Sequence, residues 1–193
     1  MSYKQFKRVL DVVGASILLV SLFPLMSLVA LLIVLEDGMP FIFSQTRVGY
    51  KGNRFVAYKF RSMVRDADKL LVQVDDLSGK YLKTDKRITK IGSFIRRTSI
   101  DELPQLINVL RGEMSLVGPR PFAEYDAVNY PEDRLDKVLP GITGSWQVKG
   151  RRWVLDKSAI AKIDREYSEG YNFLWDLYII FRTILYIVTL GNR

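Results

Sequence analysis

Asp101 and Glu102 stand side by side in Arg96-Arg97-Thr98-Ser99-Ile100-Asp101-Glu102-Leu103-Pro104-Gln105, with a further guanidinium downstream at Arg120. Carboxylates among arginines where a helix should begin suggest phosphate chemistry, because the guanidiniums and the positive end of the helix draw the anion in. The pair has two readings. As structure, Asp101 caps the helix and Glu102 is a first-turn acid favoured by the dipole. As chemistry, a carboxylate is a usable phosphoryl acceptor, giving a reactive acyl phosphate that passes the group onward.

Composition narrows the chemistry. The 193 residues include no His and no Cys, which excludes a Ser-His-Asp triad, a thiolate nucleophile, a disulfide framework and a His/Cys zinc site. A nucleophile or base must come from Asp, Glu, Ser, Lys or Tyr, and any metal must be a hard, oxygen-liganded one such as magnesium. With 29 Lys plus Arg against 21 Asp plus Glu, the net charge of +8 calls for an anionic partner: nucleic acid, anionic lipid or a phosphorylated substrate. The length suits one catalytic or binding unit, and no internal repeat or low-complexity linker divides it.

The elements that must hold the acids follow from periodicity. Leu103, Leu106, Ile107 and Leu110 recur at helical spacing, and Gly112 is placed to end that helix. Pro104 bears on where it starts. With Asp101 as N-cap, Pro104 falls in the first turn, where amides lack intrahelical partners anyway, so that register is expected. Phe41-Ile42-Phe43 and Phe55 to Phe60 read as short strands around the basic turn Arg47 to Arg54, and Val64 to Val74 reads as an amphipathic helix. In Gly118-Pro119-Arg120-Pro121 two prolines stiffen the chain around Arg120. Pro140-Gly141-Ile142-Thr143-Gly144 and Val148-Lys149-Gly150-Arg151-Arg152 form a glycine-rich basic segment whose amides could approach an anion, although it fits no dinucleotide or P-loop pattern.

Two apolar segments flank all this. Val9 to Leu35 carries Asp11 as its only charge and exceeds the roughly 20 residues that cross a bilayer. Pro24 predicts a kink or break near its middle. A single span would carry a strongly basic remainder across the membrane against the positive-inside tendency, which favours a hairpin that enters one leaflet and returns. Phe173 to Leu190 is apolar and aromatic but broken by Asp176 and Arg182, which suits a helix against protein or in the membrane interface.

The run Ser99-Ile100-Asp101-Glu102-Leu103-Pro104-Gln105-Leu106, then Gly118-Pro119-Arg120-Pro121 and Pro140-Gly141-Ile142-Thr143-Gly144, resembles the bacterial sugar transferases, the small monotopic phosphoglycosyl transferases. Tyr58-Lys59-Phe60-Arg61-Ser62-Met63 and Arg87-Ile88-Thr89-Lys90-Ile91-Gly92 fit as well, so the resemblance covers essentially the whole chain. It implies transfer of a phosphosugar from a UDP-sugar to undecaprenyl phosphate with release of UMP, opening the assembly of a bacterial glycoconjugate or exopolysaccharide. By position, Asp101 would be the nucleophile forming a covalent phosphosugar intermediate, and Glu102 its partner, both concerned with Mg2+. Arg96, Arg120, Lys59 and Arg151 would hold phosphate or substrate, and Asp176 matches a late acidic position. The implied fold is α+β and mainly helical: a re-entrant membrane helix hairpin over 1–36, broken at Pro24, then a cytoplasmic membrane-associated catalytic domain over 37–193 with interfacial helices and a short β-hairpin.

The implied location is the cytoplasmic face of the bacterial inner membrane, with the lipid bilayer as a partner, no nucleic acid, and a homodimer left open. Two features depart from the family pattern: Phe23 precedes Pro24 where some relatives have serine, and Arg152 stands where Asn is common. Two rivals stay open. One is the same reaction by direct attack of the lipid phosphate. The other is a non-catalytic, membrane-tethered anion-binding module.

Overall fold

The computed structural model describes residues 2–70, 85–124, 135–150 and 157–189. Within them the chain is mainly helical with a small sheet and one long apolar N-terminal helix. That helix, α1, runs from Tyr3–Asp37 and is long and apolar enough to cross a membrane. Lys7, Asp11, Ala15, Val29 and Ile33 are buried along one stripe, which the partly buried Leu19 and Met26 complete. The opposite face exposes Val13, Ile17, Val20, Phe23, Leu28 and Leu31. α1 thus packs one side on protein and turns a second, equally apolar side outward.

α1 does not end at Pro24, where the sequence predicts a break; Pro24 lies inside one helical assignment. Just before it, Ser21 Oγ donates to the Leu18 carbonyl at 3.3 Å, the kind of local adjustment by which helices in apolar surroundings tolerate proline. Both halves pack on the same body. Ala15 joins Phe55, Ala57, Leu106, Val109 and Met114, whereas Val29 and Ile33 join Phe60 and Ile95. Polar ties secure the two ends. Arg8 donates to the Val109 and Leu110 carbonyls at 2.6 and 3.0 Å, and Asp11 Oδ1 accepts from Ser115 Oγ and Leu116 N. At the far end Glu36 accepts from the amides of Lys90 and Ile91, and Arg61 donates to the Asp37 and Gly38 carbonyls.

Strands β1 (Ile42–Val48) and β2 (Arg54–Phe60) pair antiparallel, Ile42 opposite Phe60 and Val48 opposite Arg54. The first strand is longer than the sequence suggests, because Ser44, Gln45, Thr46 and Arg47 are strand residues and the turn shrinks to Gly49–Asn53. Helix α2 spans Lys90–Arg97, capped by the Thr89 side chain. After Ser99, a 3-10 turn over Ile100–Gln105 leads into α3, Leu106–Arg111, which Gly112 ends in the left-handed region at φ 81°. Short strands follow: β3 (Ser115–Val117), β4 (Phe122–Ala123) and β5 (Gly141–Thr143). β4 extends the first sheet in the order β2-β1-β4, and β3 pairs with β5 in parallel. Helices α4 (Ser145–Gly150), α5 (Lys157–Gly170) and α6 (Phe173–Val188) complete the chain.

Two expectations are corrected here. Ser99, not Asp101, is the residue before the helical turn, and at φ 58° it adopts a left-handed conformation that costs a non-glycine residue about 1–2 kcal/mol. The tighter i to i+3 bonding, with Glu102 N on the Ser99 carbonyl, accommodates Pro104 within the turn rather than at its edge. The helix expected over 64–74 is absent from its described part, where Ala67–Lys69 form a single 3-10 turn. Backbone pairing of Met63 with Ile88, and of Val64 N with the Arg87 carbonyl at 2.8 Å, holds the preceding chain extended.

Candidate active site

Strand alternation aims the cations. Phe55, Ala57 and Lys59 share one face of β2, and their partners Arg47, Gln45 and Phe43 share that face on β1. The face looks onto the turn carrying the two acids. Asn108 fixes the separation: it is fully buried, receives Tyr58 N, and donates to the Val56 carbonyl at 2.7 Å and to Glu113. It therefore satisfies the free edge of β2 and holds α3 against the strand.

The turn places two adjacent carboxylates in different company. Glu102, 6% exposed, accepts at Oε1 from Lys59 Nζ and from Arg120 Nη2, each at 2.7 Å. Burial works against its charge, but Arg120 and Lys59 outweigh that and hold the carboxyl well below the usual carboxylate range. Asp101, 9% exposed, makes no side-chain hydrogen bond or ion pair among the described residues. Burial pushes its carboxyl up; Lys59 opposes this, Glu102 adds to it, and Arg120 and Arg96 oppose it. Lys59 is itself pushed down by burial and by Arg120.

Glycines bring Arg120 into range. A Cβ on Gly141 would lie 2.0 Å from Gly118 N, and one on Gly144 2.3 Å from the Gly118 carbonyl. The glycine-rich segment that looked suited to an anion thus serves a close backbone crossing, which seats Pro119-Arg120-Pro121 beside β5. A similar contact sets Arg96, since a Cβ on Gly92 would lie 1.9 Å from the Ser62 carbonyl. That approach lets Arg96 Nε reach Ser62 Oγ at 2.7 Å while its charge acts on Asp101.

The fold thus gathers Asp101, Glu102, Lys59 and Arg120, with Arg96 alongside. Arg151 lies outside the described residues. Asp176 belongs elsewhere: it binds Lys7, Tyr3 and Tyr167, joining the start of α1 to α6. Pro24 is exposed on the lipid-like face of α1. The sequence reading missed Arg47 and Gln105, which line a pocket with Lys59 and Arg120 over Ala57 and Gly141. The alternation Gln45-Thr46-Arg47-Val48 was the available signal for Arg47, hidden by its neighbouring turn residues. Among the described residues, no three acidic side chains converge on a point. A cation there would draw on Asp101, whose oxygens are uncommitted, and on oxygens brought by a ligand, as magnesium commonly does.

Comparison with known proteins agrees with this arrangement. A family profile described as bacterial sugar transferase matches residues 2–190. Among similar proteins, the galactosyl transferase CpsE of Streptococcus agalactiae serotype III (strain NEM316) is 46% identical over 96% of this chain and 42% of its own. The exopolysaccharide production protein ExoY of Sinorhizobium fredii (strain NBRC 101917 / NGR234) is 37% identical over 92% of this chain and 83% of its own. The UDP-glucose:undecaprenyl-phosphate glucose-1-phosphate transferase of Escherichia coli (strain K12) is 39% identical over 92% and 39%. The chain spans about two fifths of the length of the first and third of these relatives. With nearly every residue matched and the acids, cations and glycines gathered as described, the chain belongs to the bacterial sugar transferase family.

Proposed function

We propose that this chain transfers a phosphosugar from a UDP-sugar to undecaprenyl phosphate, releasing UMP, through a covalent intermediate on Asp101. The observation that carries this reading is the asymmetry of the two acids: Glu102 is bound by two cations, and Asp101 beside it is buried, uncommitted and adjacent to them. The names of relatives supply the substrate class, one naming UDP-glucose and undecaprenyl phosphate outright.

In the first half-reaction an Asp101 carboxylate oxygen attacks the β-phosphorus of the donor. An O–P bond forms to Asp101, the bond bridging to the α-phosphate breaks, and its electron pair departs with UMP. In the second, an oxygen of undecaprenyl phosphate attacks the same phosphorus, and the acyl-phosphate electron pair returns to Asp101. Phosphoryl transfer is limited chiefly by bringing anion to anion, so the work of the protein is positioning and charge. Arg120 and Lys59 provide positive charge, and Glu102 holds both at a fixed place. Burial raises the Asp101 carboxyl; Lys59, then Arg120 and Arg96, supply positive charge that opposes this. Asp101, with the Glu102 oxygen that Lys59 and Arg120 leave open, would hold Mg2+, which would supply positive charge against the remaining repulsion.

Membrane placement follows the same logic. Both halves of α1 pack on one body, which supports a re-entrant helix with both ends on the cytoplasmic side over a straight span. The exposed apolar faces of α1 and α6 supply the surface for the bilayer. The test is UMP release with undecaprenyl phosphate, Mg2+ and a panel of UDP-sugars. Asp101→Asn is expected to lower turnover by about a thousandfold or more with every donor. Near-normal turnover by this variant contradicts the assignment.

A further inference from the structure

Lys59 and Arg120 both engage Glu102, but two other polar groups in the same pocket do not. Gln105 is 5% exposed, and among the described residues its amide makes no hydrogen bond. Its polar atoms are not sealed off from solvent but face the pocket it lines, so the amide is positioned to bind whatever enters there. Arg47 lines the pocket with it and is held in place. Its Nη1 donates to the Pro121 carbonyl at 3.1 Å and its Nη2 to Gln45 Oε1 at 2.7 Å. Gln105 closes the turn that carries Asp101 and Glu102, and Arg47 stands on the central strand of the sheet, so rigid elements set both relative to the acids.

We propose that Arg47 and Gln105 form a single phosphate-monoester subsite, filled first by the α-phosphate of the departing nucleotide and then by the phosphate of the lipid acceptor. The proposal rests on the covalent reading above and follows from its stereochemistry. In both half-reactions an Asp101 oxygen takes one apex of an in-line displacement at the same phosphorus. The leaving oxygen of UMP and the attacking oxygen of undecaprenyl phosphate must therefore take the opposite apex in turn. Both groups are monophosphates of an alcohol. A guanidinium and a neutral carboxamide recognise that shared part without reading the base or the isoprenoid.

The test uses the full chain in nanodiscs, with UDP-glucose or UDP-galactose, whichever the donor panel selects, undecaprenyl phosphate and UMP. In the wild type UMP should inhibit competitively against undecaprenyl phosphate. Gln105→Leu should raise the UMP inhibition constant and the KM for undecaprenyl phosphate by the same factor, about tenfold, and Arg47→Gln should raise both by about ten- to a hundredfold. If Arg47→Gln does not fold, the ratio of the two shifts in Gln105→Leu decides. Non-competitive inhibition, or a shift in one constant without the other, overturns the shared subsite while leaving the covalent reading intact. A wild type that forms no labelled protein adduct and exchanges no labelled UMP into UDP-sugar overturns the covalent reading, and the subsite with it.

Discussion

Glu102 and Asp176 are both buried carboxylates that accept from a lysine, yet they sit in opposite kinds of network. Around Asp176, one oxygen receives Lys7 and Tyr3 and the other receives Tyr167, whose hydroxyl is pushed up by burial and by the Asp176 charge. Tyr167 also reaches the Val117 carbonyl at 3.2 Å. Both Asp176 oxygens have donors there, and Asp11 lies near enough to act on the same Lys7 and tyrosines. Around Glu102 one oxygen takes two cations, a second carboxylate stands uncommitted beside it, and further positive charge lines the pocket. The closed network joins the first helix to the last; the open one has capacity left for an anion.

The contrast is tested first by truncation. Removing one member of a buried ion pair strands its partner and costs about 3–5 kcal/mol, so Glu102→Ala and Asp176→Ala should destabilise comparably in denaturant titrations. They should part in activity. Glu102→Ala removes the carboxylate that Lys59 and Arg120 share and should lose turnover per folded molecule, whereas Asp176→Ala should keep it, because among the described residues Asp176 shares no partner with the site. Equal loss of turnover per folded molecule in both would erase the distinction. A smaller change probes the closed network alone: Tyr167→Phe removes a buried donor to the Asp176 carboxylate and should cost about 1.5–3 kcal/mol with no change in KM for the donor.

The smallest effect is a pH dependence of opposite sign at the two acids. Glu102 is held below its usual range, so its contribution to stability is full above the unfolded pKa and disappears as pH falls through the folded value. Asp101 is raised, so its ionisation penalises the fold as pH rises through its folded pKa. Asp101→Asn should therefore melt above the wild type at neutral pH, and the gap should close on acidification. A gap that widens towards acid would contradict the electrostatic description of Asp101.

The sequence was informative where one physical signal dominated. Leucine periodicity placed α3, and Gly112 stopped it as expected. The acids and Arg120 stood out as charges at a helix start and in a proline-flanked turn, but capping explained them as readily as chemistry, and their roles came from the family resemblance. The cap register was not, since choosing between Ser99 and Asp101 requires knowing that the turn is 3-10. Arg47 was hidden because a polar, half-exposed strand lacks strong alternation and its turn neighbours looked alike. Gln105 was read as part of a motif, and only its place in the pocket wall, with no hydrogen bond to its amide among the described residues, sets it apart. The glycines were visible as a pattern, but the backbone crossing they permit is a tertiary fact.

Asp101 is proposed to carry the phosphosugar between the two substrates. The most direct test is to incubate the purified protein with UDP-sugar and Mg2+, without lipid acceptor, and to measure its intact mass and labelled peptides. A phosphosugar adduct is expected on the peptide containing Asp101, absent in Asp101→Asn and discharged by adding undecaprenyl phosphate. An unmodified wild-type protein, or an adduct that survives in Asp101→Asn, would contradict it.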